Sequence, residues 1–253
     1  MKLIKRLVLM IQFFTRIPIT PNYKAEHEDY GRGLIFAPLV GLIIGEILAC
    51  AYIILNRVLP AYICVVLVVV IYIIVTGGLH FDGLGDSFDG IFSNRPKEKI
   101  LEIMRDSRVG TNAVLAIICI LLLDISLLLG INKEYIVLIL LLMPVAGRIA
   151  STVGAGVSKY ARNGEGIGKS FIEYCGSKEI IIGLVIYFAI FYLTAGFNGL
   201  IISILPPISA FVTIKLLGRK IGGATGDTLG ATLEINQTIF LLAVCILQNY
   251  AIK

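Results

Sequence analysis

The stretch AYICVVLVVVIYIIVTGGLHFDGLGDSFDG, residues 61–90, joins a long apolar run to three closely spaced aspartates. Carboxylates are costly in lipid, so acids this dense beside a membrane-length segment indicate a functional site. If the run continues as a helix, Asp82, Asp86 and Asp89 lie within an arc of roughly 60°. Three oxygen ligands on one face suit Mg²⁺, which is held by a few carboxylates together with substrate phosphates. The stretch therefore predicts a metal site, with a solvated acidic helix start as the alternative.

The composition of the whole chain is that of a membrane protein. Hydrophobic residues make up 57% of the 253 residues and charged residues only 15%, which is far less charge than a soluble domain carries. The net charge of +5 is spread over several short loops. This pattern fits charges placed at a membrane surface and excludes nucleic acid as a partner. We expect a single integral membrane domain over residues 1–253, surrounded by lipid.

Several apolar runs approach or reach the roughly 17–25 residues that cross a bilayer. They lie at Leu34–Leu55, Ala61–Thr76, Thr111–Gly130, Tyr135–Val153, Ile180–Ala195, Leu200–Leu217 and Gln237–Ile252. Ahead of them, residues 1–18 combine basic side chains with an apolar face that includes Leu3, Met10 and Phe14, which predicts an amphipathic interfacial helix. The predicted fold is an all-α polytopic membrane protein with about seven transmembrane helices and this N-terminal helix.

The connections between these runs alternate in length and charge. Residues 56–60, 131–134 and 196–199 are short and nearly uncharged, whereas residues 77–110, 154–179 and 218–236 are longer and charged. The N-terminal stretch through Arg32 and the three long loops, with Lys215 counted in the last, contain 18 of the 22 Lys and Arg residues. The positive-inside rule makes that side cytoplasmic. We expect a multi-pass protein of the cell (inner) membrane whose active site, formed by the long loops, faces the cytoplasm.

Basic side chains follow the aspartates in the first long loop. Arg95, Arg105 and Arg108 suit phosphate oxygens, because arginine binds them through paired hydrogen bonds. Asp106 lies between two of these arginines, shortly before Gly110 and the next apolar run. We therefore treat these four charged residues as candidate site residues.

The second long loop contains KYARNGEGIGKSF, residues 159–171. Its glycines and Lys169 are similar to a phosphate-binding loop, but the Walker spacing and the preceding strand are absent. A flexible loop explains the isolated pattern equally well. Arg162 and Lys169 are its candidate substrate-binding residues.

The third long loop contains GGATGDTLGATLEINQ, residues 222–237, with two acids among four glycines. Asp227 and Glu234 are seven residues apart, so a helix would bring them to one face. A single acid among small residues at the membrane surface indicates a site more than packing. We expect Asp227 to lie close to the Asp82–Asp89 segment.

Three ionisable residues remain inside the apolar runs. Arg148 either pairs with Glu46 or lines a polar cavity, and it is a candidate site residue. Glu46 and Asp124 are interpreted as local structure. His80 fits a ligand or base, although an interfacial helix cap is the favoured interpretation.

Taken together, these segments resemble the adenosylcobinamide-GDP ribazoletransferase family. The matching pieces are FFTRIPI, GGLHFDGLGDSFDG, EIMRDSRVGTNA, the Gly147-Arg148 pair, YARNGEGIGKSF and GGATGDTLGATLE. They follow the order of the family and cover most of the chain. Together they are specific, whereas no single piece would be.

The resemblance implies a Mg²⁺-dependent transfer in cobalamin synthesis. The substrates would be adenosylcobinamide-GDP and α-ribazole, or its 5′-phosphate, and the products adenosylcobalamin, or its 5′-phosphate, and GMP. Asp82, Asp86 and Asp89 would hold the metal on the pyrophosphate, and Arg105 would neutralise the leaving phosphate. Asp89 or Asp227 would accept the proton of the attacking hydroxyl. The sequence leaves the oligomeric state open, a homo-oligomer included.

Two other functions compete with this interpretation. A CDP-alcohol phosphotransferase also transfers to an alcohol at a metal-aspartate site, but its signature needs Ala-Arg shortly after the first Asp-Gly. Here Asp82-Gly83 is followed by Leu84-Gly85-Asp86. A transporter would place acids near the bilayer midplane, whereas here they concentrate in the charged loops.

Overall fold

The computed structural model describes residues 2–20 and 23–248, and this part of the chain contains helices but no β-strand. The all-α class is therefore confirmed. The helices are α1 (Lys2–Phe14), α2 (His27–Gly33), α3 (Ala37–Leu55), α4 (Ala61–Thr76), α5 (Leu79–Ile91), α6 (Lys97–Ile103), α7 (Thr111–Gly130), α8 (Ile136–Gly156), α9 (Ile167–Tyr174), α10 (Ser177–Ser203), α11 (Leu205–Gly218) and α12 (Gly226–Leu247).

Several of these helices are long and apolar enough to cross a membrane, so the chain is a multi-pass membrane protein. Among the described residues there are five: the helical stretch His27–Leu55, α7, α8, α10 and α12. Helix α11 has 14 residues, about 21 Å, which is short for a hydrocarbon layer of roughly 30 Å. The predicted count of seven is therefore not confirmed. The predicted end of the last run, Ile252, lies outside the described residues.

Helix α10 reverses its direction at Gly196, whose φ of 60° and ψ of −149° are not helical. The Tyr187 hydroxyl donates to the carbonyl oxygen of Ser203 over 3.1 Å, although 16 residues of straight helix would span about 24 Å. Glycine is suited to this position because it has no Cβ to clash at a positive φ. The reversal coincides with the short uncharged connection expected at residues 196–199.

Helices α4 and α5 are bent by 89° relative to each other. Gly77 and Gly78 lie between them with φ values of 66° and 67°, and a left-handed glycine ends a helix by satisfying its last carbonyl groups. Because α5 turns away from the direction of α4, the two helices do not form one straight span.

All three charged connections contain helical residues. Helices α5 and α6 occupy much of residues 77–110, α9 lies within residues 154–179, and α12 begins at Gly226 within residues 218–236. Apolar side chains such as Phe81 and Leu229 are buried against neighbouring helices. Their burial stabilises α5 and α12 within the charged connections.

Helix α8 lies at the centre of the bundle, and most of its side chains are buried. Gly41 and Gly45 of α3 pack directly on its backbone, since a Cβ at Gly45 would lie only 2.0 Å from the carbonyl oxygen of Leu141. Glu46 lies next to this glycine contact, and its own side chain is exposed.

The N-terminal helix α1 is held by burial of its C-terminal part and by ion pairs nearer its start. Leu3 and Ile4 are exposed, whereas Met10 and Phe14 are fully buried. Ion pairs from Lys5 and Arg6 to Asp29 attach it to α2. Helix α1 therefore contributes its C-terminal aromatic residues to the protein interior.

Candidate active site

The predicted acids meet where α5 packs against the start of α12. A Cβ added to Gly83 would lie 2.9 Å from the carbonyl oxygen of Asp227 and 3.0 Å from its Cα. One turn further along α12, Gly230 lies against the backbone of His80 in the same way. The expected proximity of Asp227 to the Asp82–Asp89 segment is therefore found, and glycines make it sterically feasible.

Two acids of α5 are accessible at this junction. Asp82 is exposed and Asp86 is partly buried. Burial, together with the neighbouring charges of Asp82 and Asp227, raises the pKa of Asp86 to about 7. Crowded like charges disfavour ionisation, and a bound cation relieves them.

Asp89 has a different environment from the other two aspartates. One of its carboxylate oxygens accepts the backbone N–H of Gly110 at 2.6 Å, and the other accepts that of Ala113 at 2.9 Å. These groups belong to the start of α7, where backbone N–H groups lack helical partners. Asp89 therefore caps α7, while its roles as metal ligand or base stay predictions.

The second and third charged loops are joined beside Asp227. The N–H of Ala161 donates to the carbonyl of Ala224 at 2.9 Å, and the N–H of Ala224 donates to that of Lys159 at 2.7 Å. This pairing brings Arg162 to Asp227, with 2.6 Å between the guanidinium nitrogen and the carboxylate oxygen. The Thr225 hydroxyl contacts the same oxygen at 3.3 Å. Asp227 is thus oriented from two sides.

The other candidate charges surround this junction more loosely. Arg105 donates to the carbonyl of Asn163 at 3.3 Å, so the first and second loops also touch. Arg108 pairs with Asp106 at the surface, and this contact holds the pKa of Asp106 at about 2. Lys169 pairs with Glu165. Arg95 is exposed on the loop before α6.

Arg148 belongs to a separate, fully buried network. It donates to the Tyr72 hydroxyl at 3.1 Å and to the Gln237 side-chain oxygen at 2.8 Å. Tyr72 and Gln237 in turn donate to the two carboxylate oxygens of Glu234 at 2.8 Å. Asp227 and Glu234 lie on one helix, α12, as their spacing predicts, but Glu234 is buried inside the bundle. Arg148 does not pair with Glu46, and its substrate-binding role stays a prediction.

A cavity of about 200 Å³ opens beside Asp82 and Asp227. Its other lining residues come from α1, α5, α8, α9, α12 and the turn between α2 and α3, and they are mostly apolar or glycine: Phe13, Phe14, Leu34, Leu79, His80, Gly83, Ser151, Gly168, Phe171, Gly226, Leu229 and Gly230. Burial lowers the pKa of His80 well below its ordinary value, so the imidazole is neutral. The junction thus combines acids, an arginine and an apolar cavity.

Comparison with known proteins identifies the family of this chain. The cobalamin-5-phosphate synthase family matches residues 6–245. The chain belongs to that family. Two curated relatives, each called adenosylcobinamide-GDP ribazoletransferase, are 54% identical to it. The one from Acetivibrio thermocellus matches 96% of this chain and 98% of its own length, and the one from Clostridium acetobutylicum matches 96% and 97%. A third, from Alkaliphilus oremlandii, is 41% identical over 98% and 100%. No solved structure matches the chain.

Membership in this family makes the chain a transferase of cobalamin synthesis. It replaces the alternatives of a phospholipid enzyme and an ion-coupled transporter. The family match covers residues 6–245. This extent explains why six short motifs in the family's order together identified the family.

The acids suit a metal that is completed by its substrate. Within residues 2–20 and 23–248, no group of three or more His, Cys, Asp or Glu side chains is assembled to hold a metal by itself. Mg²⁺ is usually bound by one or two carboxylates plus substrate phosphates and water. Asp82 and Asp86, one helical turn apart and electrostatically crowded, provide such a partial set.

Sequence reasoning missed several residues of the junction. His80 was assigned to a helix cap, and Phe14 to a lipid-facing helix, yet both line the cavity and their rings stack 5.5 Å apart. The pairing of Arg162 with Asp227 was also not foreseen. The only sequence signal for this pairing was the basic character of the second loop.

Proposed function

We propose that the chain catalyses Mg²⁺-dependent transfer of the adenosylcobinamide phosphoryl group from adenosylcobinamide-GDP to α-ribazole or its 5′-phosphate. The products are adenosylcobalamin or its 5′-phosphate, and GMP. The single observation that supports this most is the contact between α5 and α12, which brings Asp82, Asp86 and Asp227 to one junction. The relatives' name supplies the two substrates.

The reaction breaks one phosphoanhydride bond and forms one phosphoester bond. A ribazole hydroxyl oxygen forms a bond to the phosphorus next to adenosylcobinamide, and the bond from that phosphorus to the bridging oxygen breaks. The bridging oxygen leaves with GMP. The hydroxyl proton passes to a carboxylate, for which Asp227 is the candidate because Arg162 and Thr225 orient it.

Asp82 and Asp86 would hold Mg²⁺ on the substrate pyrophosphate. Bound there, the metal neutralises charge on the phosphate oxygens. Arg105 donates to the carbonyl of Asn163, and Arg162 donates to Asp227. Both arginines would neutralise the leaving phosphate. Asp89 has a positioning role in this scheme, since it ties α5 to the start of α7.

We place the junction on the cytoplasmic side of the cell (inner) membrane. The basic residues of the charged loops support this orientation. Exposed apolar side chains on the spans, such as Leu122 and Leu193, would contact lipid.

The proposed reaction is tested with purified protein in detergent or in vesicles. The protein should release GMP from adenosylcobinamide-GDP only when α-ribazole and Mg²⁺ are both present. Mass spectrometry should identify one corrinoid product for each GMP released. GMP release that does not depend on the acceptor would indicate hydrolysis and contradict the proposal.

The orientation is tested by labelling single cysteines in intact cells, in a background without the five native cysteines. Lys99→Cys on α6 should react with an impermeant reagent only after permeabilisation, because Lys99 is exposed on the charged side. Val58→Cys, which is 79% exposed on the opposite connection, should react at once. The reverse pattern would overturn the cytoplasmic placement.

A further inference from the structure

The cavity beside the acids contains a buried polar side chain that the protein leaves without a partner. His80 is 5% exposed, and neither of its ring nitrogens has a hydrogen-bond partner within the described residues. Its Nδ1 lies 3.9 Å from a carboxylate oxygen of Glu234, which is too far for a hydrogen bond. Unsatisfied buried polar groups are rare in folded proteins and call for an explanation.

The walls around His80 are suited to a flat ring. Phe14 stacks on the imidazole with 5.5 Å between ring centres and 26° between planes. Phe171 also lines the cavity and is almost fully buried. Aromatic walls favour stacked or edge-on contacts with another ring. Gly168 and Gly230 complete the cavity without side chains and leave backbone surface that a flat group approaches closely.

The position of the cavity limits what it binds. Asp82 and Asp227 lie in its lining, so a group bound inside would leave its attached sugar next to the acids. A phosphate group does not suit a lining whose only charged members are carboxylates. The corrin ring is far larger than a cavity of 200 Å³. Guanine carries several donors and acceptors, and apart from the acids assigned to the reaction the lining offers only the polar side chains of His80 and Ser151.

We infer that this cavity binds the heteroaromatic base of the acceptor nucleoside, with His80 as the hydrogen-bond partner of its free ring nitrogen. The inference rests on the proposed function, because α-ribazole is the riboside of dimethylbenzimidazole. That base is flat, bicyclic and uncharged, has two methyl groups, and offers one ring nitrogen as an acceptor. Phe14 and Phe171 contact its faces and edges, and its ribose lies toward Asp82 and Asp227.

Kinetics separate this role from a merely structural one. His80→Phe retains an aromatic ring and removes both nitrogens, so the KM for α-ribazole should rise at least tenfold. The KM for adenosylcobinamide-GDP should stay within twofold. His80→Gln restores a donor and should recover part of the loss. Phe171→Leu should also raise the KM for α-ribazole, whereas Phe240→Leu, buried elsewhere in the core, should change neither KM.

Equilibrium binding tests the cavity without turnover. Free 5,6-dimethylbenzimidazole should bind the intact wild-type protein in detergent, and His80→Phe should weaken binding at least tenfold. If wild-type protein binds the base but releases no GMP, the proposed function fails and the cavity assignment stands. If wild-type protein releases GMP while the His80 and Phe171 variants leave the KM for α-ribazole unchanged, or shift both KM values equally, the assignment is overturned. Absence of base binding, as expected for a cavity filled by an acyl chain, also overturns it.

Discussion

Helix α12 contributes to two polar clusters that differ in exposure and in how their acids are partnered. At its start, Asp227 faces Asp82 and Asp86 in a junction that is partly open and rich in negative charge. Two turns further on, Glu234 is fully buried, and Tyr72 and Gln237 donate to its two oxygens and connect it to Arg148. In the first cluster, negative charge exceeds positive charge. In the second cluster, Glu234 has its partners within the protein.

The difference indicates separate roles for the two clusters. A buried charge with partners stabilises one arrangement of helices and becomes costly when a partner is lost. A crowded set of carboxylates at an opening destabilises itself unless a cation or substrate is bound. We therefore expect substitutions at the junction to reduce turnover, and substitutions in the buried network to reduce the amount of folded protein.

The largest effect on turnover is expected for Asp82→Ala and Asp86→Ala. Each removes a proposed metal ligand and should lower kcat/KM on the order of 10³-fold, while the thermal unfolding temperature in detergent changes little. Asp89→Ala should lower both activity and stability, because it also removes the cap of α7. Near-normal activity of both Asp82→Ala and Asp86→Ala would end the metal assignment.

The largest effect on folding is expected for Arg148→Met. Loss of the guanidinium leaves Glu234 buried without its cation, which should reduce the free energy of unfolding by about 3–5 kcal/mol. Thermal unfolding in detergent measures this loss, and Glu46→Gln, at an exposed position in another span, is the control. An Arg148→Met protein that is stable but inactive would contradict this structural role and would indicate that Arg148 acts in the active site.

A smaller effect on turnover is expected for Gly83→Ala. The added methyl group would meet the backbone of Asp227 at 2.9 to 3.0 Å and force α5 and α12 apart. A displacement of this kind lowers activity by about 10²-fold. Gly130→Ala is the matched control, since its methyl group would meet only Cys245 at an ordinary 3.8 Å. Equal activities of the two variants would show that the close contact is unimportant for catalysis.

The smallest effect is expected in the pH dependence of Mg²⁺ activation. The pKa of Asp86 is about 7, so the group is mostly protonated at pH 6 and mostly ionised at pH 8. Since the ionised form binds the metal, the Mg²⁺ concentration that gives half-maximal turnover should fall by about tenfold over this range. Asp86→Asn should abolish the dependence. A pH-independent requirement in the wild type would contradict a role for Asp86 as ligand.

Two features are predictable from the sequence on physical grounds: the all-α membrane fold and the closeness of Asp227 to the Asp82–Asp89 segment. Long apolar runs are scarce outside membranes, and a lone acid among glycines has few structural uses. The sequence does not predict how α5 and α12 are buried against each other. Their burial depends on contacts such as Gly83 with Asp227, which join residues far apart in the chain.

The orphan nitrogens of His80 could not be predicted either. A histidine near a membrane surface caps a helix in one fold and lines a cavity in another. The stacking of Phe14, from a helix expected to face lipid, decides between the two. For the same reason, the spacing of Asp227 and Glu234 predicts one helix face, but only the surrounding helices determine which of the two acids is enclosed.

The central claim is that Asp227, at the start of α12, takes part directly in the reaction. The most direct measurement compares kcat and substrate affinity of the wild type and Asp227→Asn, which keeps the size of the side chain and removes its charge and basicity. We predict that kcat falls on the order of 10²-fold or more, with little change in the affinity for adenosylcobinamide-GDP. A variant with nearly normal kcat would contradict the account and leave Asp227 as the structural partner of Arg162.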